Sequence, residues 1–147
     1  PVEAFHITLC FLDTVSEPVA EDLDAELARI RLSPFEITLS GAGWFGGTEP
    51  RAVWIGVKPD DRLETLARAC ERAARKVGLN PEKRRFTPHV TLAYLKPGTP
   101  LEPVASFCQR LGAFSDGPIR IDRFGLYSSW LGKGPSRYVQ ETEYPLA

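Results

Sequence analysis

A short motif that occurs twice constrains this chain more than anything else in it. Residues 6–12 read His-Ile-Thr-Leu-Cys-Phe-Leu, and residues 89–95 read His-Val-Thr-Leu-Ala-Tyr-Leu. Each is followed by Glu-Pro-Val-Ala, at residues 17–20 and 102–105. Two matches in the same order indicate a duplicated unit, and an internal repeat decides architecture before local propensity does. Residues 4–12 and 88–95 are β-branched and apolar with turn residues behind them, so both read as strands. A helix follows each. The first starts near Pro18 with Ser16 as N-cap and carries Leu23, Leu27 and Ile30 on one face. The second starts near Pro103, carries Val104, Phe107, Cys108 and Leu111, and stops at Gly112. A strand comes next, alternating through Phe35, Ile37 and Leu39 in one copy and through Ile119 and Ile121 in the other. Residues 52–57 and 138–144 close the two copies as further strands.

Between the copies, Leu63, Leu66, Ala67, Cys70, Ala73, Ala74 and Val77 make an apolar stripe, which predicts a helix over 61–77 ended by Gly78. The pattern predicts one domain over residues 1–147, built from two pseudo-symmetric lobes with repeats at about 4–58 and 61–146. A helix feeds the second histidine strand. Symmetry asks for one before the first, and the sequence holds none.

Composition narrows the function classes. The net charge of −1 gives no global basic field to draw the chain onto duplex nucleic acid. No apolar run approaches the roughly 18 residues of a membrane span, so no membrane role is expected. The cysteines, Cys10, Cys70 and Cys108, are odd in number and far apart. That argues against a disulfide framework or a zinc knuckle, and the expected setting is reducing and cytoplasmic.

Residues i and i+2 of a strand share a face. His6 and Thr8 therefore point one way, as do His89 and Thr91, with Ile7, Leu9, Val90 and Leu92 opposite. If the copies pack about a pseudo-two-fold axis, the two His-Thr pairs face each other across a cleft. Imidazoles ordinarily titrate near neutrality, so a pair can work together, one taking a proton from water and the other giving one to a departing oxygen. Threonine hydroxyls can donate hydrogen bonds to anionic oxygens between them. A phosphodiester, which needs in-line attack, leaving-group protonation and stabilised equatorial oxygens, is the natural occupant of that set of groups, and no metal or cofactor is required. A zinc site is the rival chemistry, but it wants three or four ligands, and beyond the two histidines only Cys10 would be at hand.

The paired motifs His6-Ile7-Thr8-Leu9 and His89-Val90-Thr91-Leu92 resemble those of the 2H phosphoesterases, and within them the LigT/ThpR branch of RNA 2′,3′-cyclic phosphodiesterases. Further stretches are similar to that branch: 35–45 with Arg51-Ala52-Val53-Trp54, the lead-in Phe86-Thr87-Pro88, and the closing segment from Leu126-Tyr127-Ser128-Ser129 through Gly134 and Tyr138 to Pro145-Leu146. The resemblance implies an α+β fold, each lobe an antiparallel sheet with helices packed outside, flanking a central cleft. It implies hydrolysis of RNA 2′,3′-cyclic phosphate ends to 2′-phosphates. His6 resembles the proton donor and His89 the proton acceptor; Thr8 and Thr91 resemble the phosphate-binding residues. An RNA end, or a related nucleotide, is the implied partner of a monomeric enzyme. Alternatives are a module that binds a nucleotide or RNA end without turnover, or a phosphodiesterase for another cyclic phosphate or for 2′,5′-linked oligonucleotides. The family's N-terminal strand and helix have no counterpart in the sequence, which predicts an exposed strand edge and apolar surface. The family often carries Arg two positions past the second motif, where Tyr94 stands here; Lys96, on the same strand face by alternation, is the candidate substitute.

Weaker signals are the run Lys83-Arg84-Arg85, and Lys133 and Arg137 beside the last hairpin, which read as solvated charge or as phosphate-backbone contacts. Of the aromatic residues Trp44, Trp54, Trp130, Phe45, Tyr94 and Tyr127, the best stacking candidates are Phe45, Trp130 and Tyr94. Alternation puts Cys10 on the His6 face as a small packing residue.

Overall fold

A computed structural model describes residues 2–130 and 137–147. After a 3-10 turn at Val2–Ala4 come helix α1 (Glu17–Leu27), strands β1 (Phe35–Phe45) and β2 (Ala52–Val57), and helix α2 (Asp61–Lys76). Strand β3 (His89–Tyr94), helix α3 (Leu101–Arg110) and strands β4 (Ser115–Ile121), β5 (Arg123–Trp130) and β6 (Arg137–Pro145) complete the order. One sheet runs β3-β2-β1-β4, and β5 pairs with β6 in a hairpin. Antiparallel pairing with helices alongside is the α+β class that the sequence predicts. The second copy of the repeat has three strands after its helix, not two: β5 is added between the expected pair.

The chain forms two compact units, and each draws on both halves of the sequence. The first comprises Pro1–Leu9, Glu36–Asp60 and Phe86–Ile119. Here α3 supplies buried Val104 and Cys108, which cluster with Val53; Ala42, Trp44, Leu92 and Leu95 pack around them. One face of the sheet is thereby given to α3. Strand β1 runs longer than Phe35, Ile37 and Leu39 suggest, because an irregularity between Leu39 and Ala42 absorbs Gly41. Gly41 has φ of 68°, a left-handed conformation cheap only for glycine.

The second unit comprises Cys10–Phe35, Asp61–Arg85 and Arg120–Ala147. Helix α2 buries Leu63, Leu66, Ala67, Cys70, Ala73 and Ala74, the stripe expected from the sequence, and packs against α1. Burying a leucine as fully as Leu66, 1% exposed, contributes about 1.5–3 kcal/mol. Asp61 and Glu64 at its start and Arg75 and Lys76 at its end complement the helix dipole. Gly78 ends it with φ of 91°, its N–H donating to the Arg75 carbonyl. Ser16 sits at the N-cap of α1 in an extended conformation, but its side chain makes no capping bond. In the hairpin, buried Phe124 and Tyr144 stack with ring centroids 4.9 Å apart.

Candidate active site

The expected strand over residues 4–12 is reduced to a single antiparallel bridge between Ile7 and Val90. A bend at Leu9 ends the extended run, so alternation cannot be carried beyond it. Cys10 belongs to the second unit, where desolvation pushes its thiol pKa up, Glu71 of α2 adds to the rise and Arg75 opposes it.

That one bridge nevertheless organises the motifs. Val90 also pairs with Ile55, so β3 runs between β2 and the His6 segment. Antiparallel register about the Ile7–Val90 pair sets His6 beside Thr91 and Thr8 beside His89. Adjacent strands lie about 5 Å apart and i, i+2 residues about 7 Å apart, so the four α-carbons mark a small rectangle on one face. Exposure follows the same parity, with His6 and Thr8 exposed and Ile7 half-buried between them. Sequence parity predicted that each His shares a face with its Thr. The structure adds that both motifs lie side by side in one compact unit, where they were expected to face each other across a cleft.

The two imidazoles are held alike. His6 Nδ1 lies 2.7 Å from the carbonyl oxygen of Ala4, and His89 Nδ1 lies 2.8 Å from that of Thr87. Each carbonyl is two residues back along the chain. A carbonyl can only accept, so Nδ1 carries the proton in both rings, and the lone pair of the neutral imidazole sits on Nε2. A ring so fixed can accept a proton at Nε2 or, once protonated, donate one from the same atom.

His89 has an aromatic wall. The Phe45 ring meets it edge-on, with centroids 4.9 Å apart and planes at 81°; Trp54 stands 5.9 Å away. Pairing of Trp54 with Thr91 and of Gly56 with His89 puts the indole on the histidine face of β2. It lies over Gly43, opposite it on β1, and a Cβ there would come within 2.5 Å of the ring. The Trp54 indole N–H is buried with no hydrogen-bond partner among the described residues. Trp44, its neighbour in the cross-strand pattern, faces α3 instead and donates from Nε1 to the Gly47 carbonyl. Of the two aromatic neighbours of His89, the sequence offered Phe45 as a candidate to stack a base and Trp54 only as an aromatic residue of unknown face.

The remaining expectations are distributed as follows. Tyr94 ends β3 and is 68% exposed. Lys96 lies beyond the strand, its carbonyl accepting from the Thr99 N–H in a turn, so strand alternation does not bring it to the histidine face. Arg84 pairs with Glu82, which makes it a solvated loop charge. Tyr127 and Trp130 are exposed on β5; the Tyr127 hydroxyl donates to Gln140 Oε1 and the Trp130 indole to Ser128 Oγ. Lys133 and Gly134 lie outside the described residues. Among the described residues no cluster of three or more His, Cys, Asp or Glu could hold a metal ion, and no helix is long and apolar enough to cross a membrane.

Residues 2–131 match the 2′-5′ RNA ligase superfamily. The chain belongs to that superfamily. A superfamily relative from Aeropyrum pernix, an RNA 2′,3′-cyclic phosphodiesterase, is 38% identical over 136 residues, spanning 90% of this chain and 77% of that protein. The protein of the same name from Archaeoglobus fulgidus is 34% identical over 135 residues, spanning 90% and 75%. Escherichia coli LigT in complex with 3′-AMP superposes with a TM-score of 0.74 at 27% identity, covering 99% of this chain and 79% of that one. A Thermus thermophilus protein shares the fold at a TM-score of 0.80 and 23% identity.

Proposed function

We propose that this chain hydrolyses RNA 2′,3′-cyclic phosphate ends to 2′-phosphates by general acid–base catalysis between His6 and His89, without a metal ion. Water attacks phosphorus while its proton passes to His89 Nε2. The bond from phosphorus to O3′ breaks, and the O3′ that departs takes a proton from His6 Nε2. The 2′-phosphate and a free 3′-hydroxyl result, and the two imidazoles have exchanged protonation states, reset through solvent. Thr8 and Thr91 donate hydrogen bonds to the non-bridging oxygens as negative charge builds on them. The assignment of acid to His6 and base to His89 rests on the family resemblance, since the two rings are held in the same way.

The observation that carries this reading is the twinned tautomer lock. Both rings are held through Nδ1 by a carbonyl two residues back, and the register of one bridge brings both motifs to one sheet face. Relatives named RNA 2′,3′-cyclic phosphodiesterase and a LigT neighbour with bound 3′-AMP support the substrate class.

The test is hydrolysis of a mononucleoside 2′,3′-cyclic phosphate in excess EDTA, with the product identified by phosphorus NMR. His6→Ala and His89→Ala are each expected to lower kcat about 10²- to 10⁴-fold, with melting unchanged. The rate of the wild-type protein should rise and then fall with pH. A variant that keeps near wild-type turnover, or activity abolished by EDTA, would refute the mechanism. Nucleotide binding without turnover by the wild-type protein would favour a binding module.

A further inference from the structure

Positive charge exceeds acid in a groove of the second unit. The groove lies between the end of α1 with the segment after it and the last three turns of α2, with a volume of about 400 Å³. Arg29, Arg31, Arg72 and Lys76 line it, and Glu26 is the one carboxylate among the lining residues. That is a local excess of three positive charges in a chain whose net charge is −1. Ile30 and Leu32 give it an apolar floor.

Structural duties account for only part of this charge. Arg31 donates to the Ala28 carbonyl at 2.8 Å and the Ile30 carbonyl at 3.3 Å, which ties off the end of α1. Lys76, in the last turn of α2, complements that helix dipole. Lys76 and Arg29 then share the single Glu26 carboxylate, at 3.1 Å and 3.9 Å. Arg72 lies a turn before the end of α2, exposed, and forms no ion pair among the described residues. Other arginines of the same helix do find acids: Arg68 pairs with Glu64 and Arg75 with Glu71. Charge is balanced along α2 except where it borders the groove.

We propose that this groove binds the phosphodiester backbone of a single RNA strand, as a surface separate from the histidine site. The proposal rests on the RNA reading of that site for its choice of polyanion. Three of the four cations are arginines, whose planar forks suit phosphate oxygens better than ammonium groups do. The apolar floor suits ribose and base faces. The volume falls within the range of sites for small ligands, so it accommodates a nucleotide or two rather than a duplex.

The test separates backbone binding from catalysis. A labelled ten-nucleotide RNA ending in a 3′-hydroxyl is titrated by fluorescence anisotropy across a salt series, with wild-type protein, Arg29→Ala/Arg72→Ala and Arg29→Lys/Arg72→Lys. Each phosphate neutralised on a single strand contributes about 0.7 to the slope of log K against log salt. The alanine pair is expected to lose about tenfold in affinity at low salt and about 1.4 in slope, while the lysine pair retains most of both. Hydrolysis of a mononucleoside cyclic phosphate should be unchanged in both variants. Unchanged RNA affinity and slope in the alanine pair would overturn the proposal. So would polyglutamate displacing the RNA as well as unlabelled RNA does, since that marks a surface for acidic protein. Wild-type protein without hydrolytic activity would count against the catalytic reading alone, because the binding measurement uses RNA with no cyclic end.

Discussion

Gly43→Ala should damage the histidine site from a position that touches neither histidine. A Cβ at residue 43 would lie 2.5 Å from both Cζ2 and Cη2 of Trp54 and 3.0 Å from Cε2. Carbon atoms pack at about 3.5–4.0 Å, so the indole must retreat by about 1 Å or more. Gly43 has no left-handed φ, which leaves the clash as the whole effect of the methyl group. Overpacking of this kind costs about 1–3 kcal/mol, or a few degrees in Tm per kcal/mol for a chain of this size. The displaced ring is also a wall of the site, 5.5 Å from Phe45 and 5.9 Å from His89. Misplacing a catalytic group by about 1 Å costs on the order of 10²-fold in rate. The assay is kcat and KM on a mononucleoside cyclic phosphate beside a thermal melt. We expect kcat to fall by 10- to 100-fold, as flagged by that ångström-scale displacement, with KM changed far less. Trp54→Phe shrinks the ring, so the double variant Gly43→Ala/Trp54→Phe should recover part of the loss, a coupling readable as a double-mutant cycle. If Gly43→Ala keeps kcat and Tm close to wild type, the idea that Trp54 braces His89 against β1 is wrong.

Two further predictions concern the second unit. Burial pushes the Cys70 thiol from 9.0 up to about 12. The unfolded chain then releases that proton first as pH rises, so this contribution to stability is full below pH 9 and is lost progressively towards about pH 12. Denaturant titrations between pH 8 and 11 should show a shallower decline in Cys70→Ala than in wild type; parallel curves would exclude the thiol as the cause. The Tyr144 hydroxyl donates to Asp24 Oδ1 at 2.6 Å, and burial together with that carboxylate raises its pKa. Tyr144→Phe should cost about 1.5–3 kcal/mol at neutral pH, seen as a lower denaturation midpoint, with turnover retained. A neutral substitution would show that the bond is no stronger than the water contacts it replaces.

Much of the site was written in the sequence. The repeated His-x-Thr motif singled out the four residues proposed for the site, because a period of two puts i and i+2 of an extended segment on one face. The stripe on α2 and its stop at Gly78 were equally local, set by helical period and by a glycine that accepts φ of 91°. Where local order ended, inference by alternation ended with it. The bend at Leu9 ends the alternation that would relate Cys10 to His6, and the turn at Lys96 ends the alternation that would relate Lys96 to His89. Alternation also could not tell Trp44 from Trp54. Which of them faces the histidines depends on the β1–β2 register and its irregularity after Leu39, and pairing register is a long-range property. The same holds for the cationic groove. Arg29 and Arg31 stand some forty residues from Arg72 and Lys76 in the chain, and only the packing of α1 on α2 makes them one surface. The sequence alone nominated the side chains proposed for the chemistry, since residue type and short-range period are local. Tertiary structure decided which of them meet, since a single bridge at Ile7 and Val90 and one helix pair join segments that no local pattern connects.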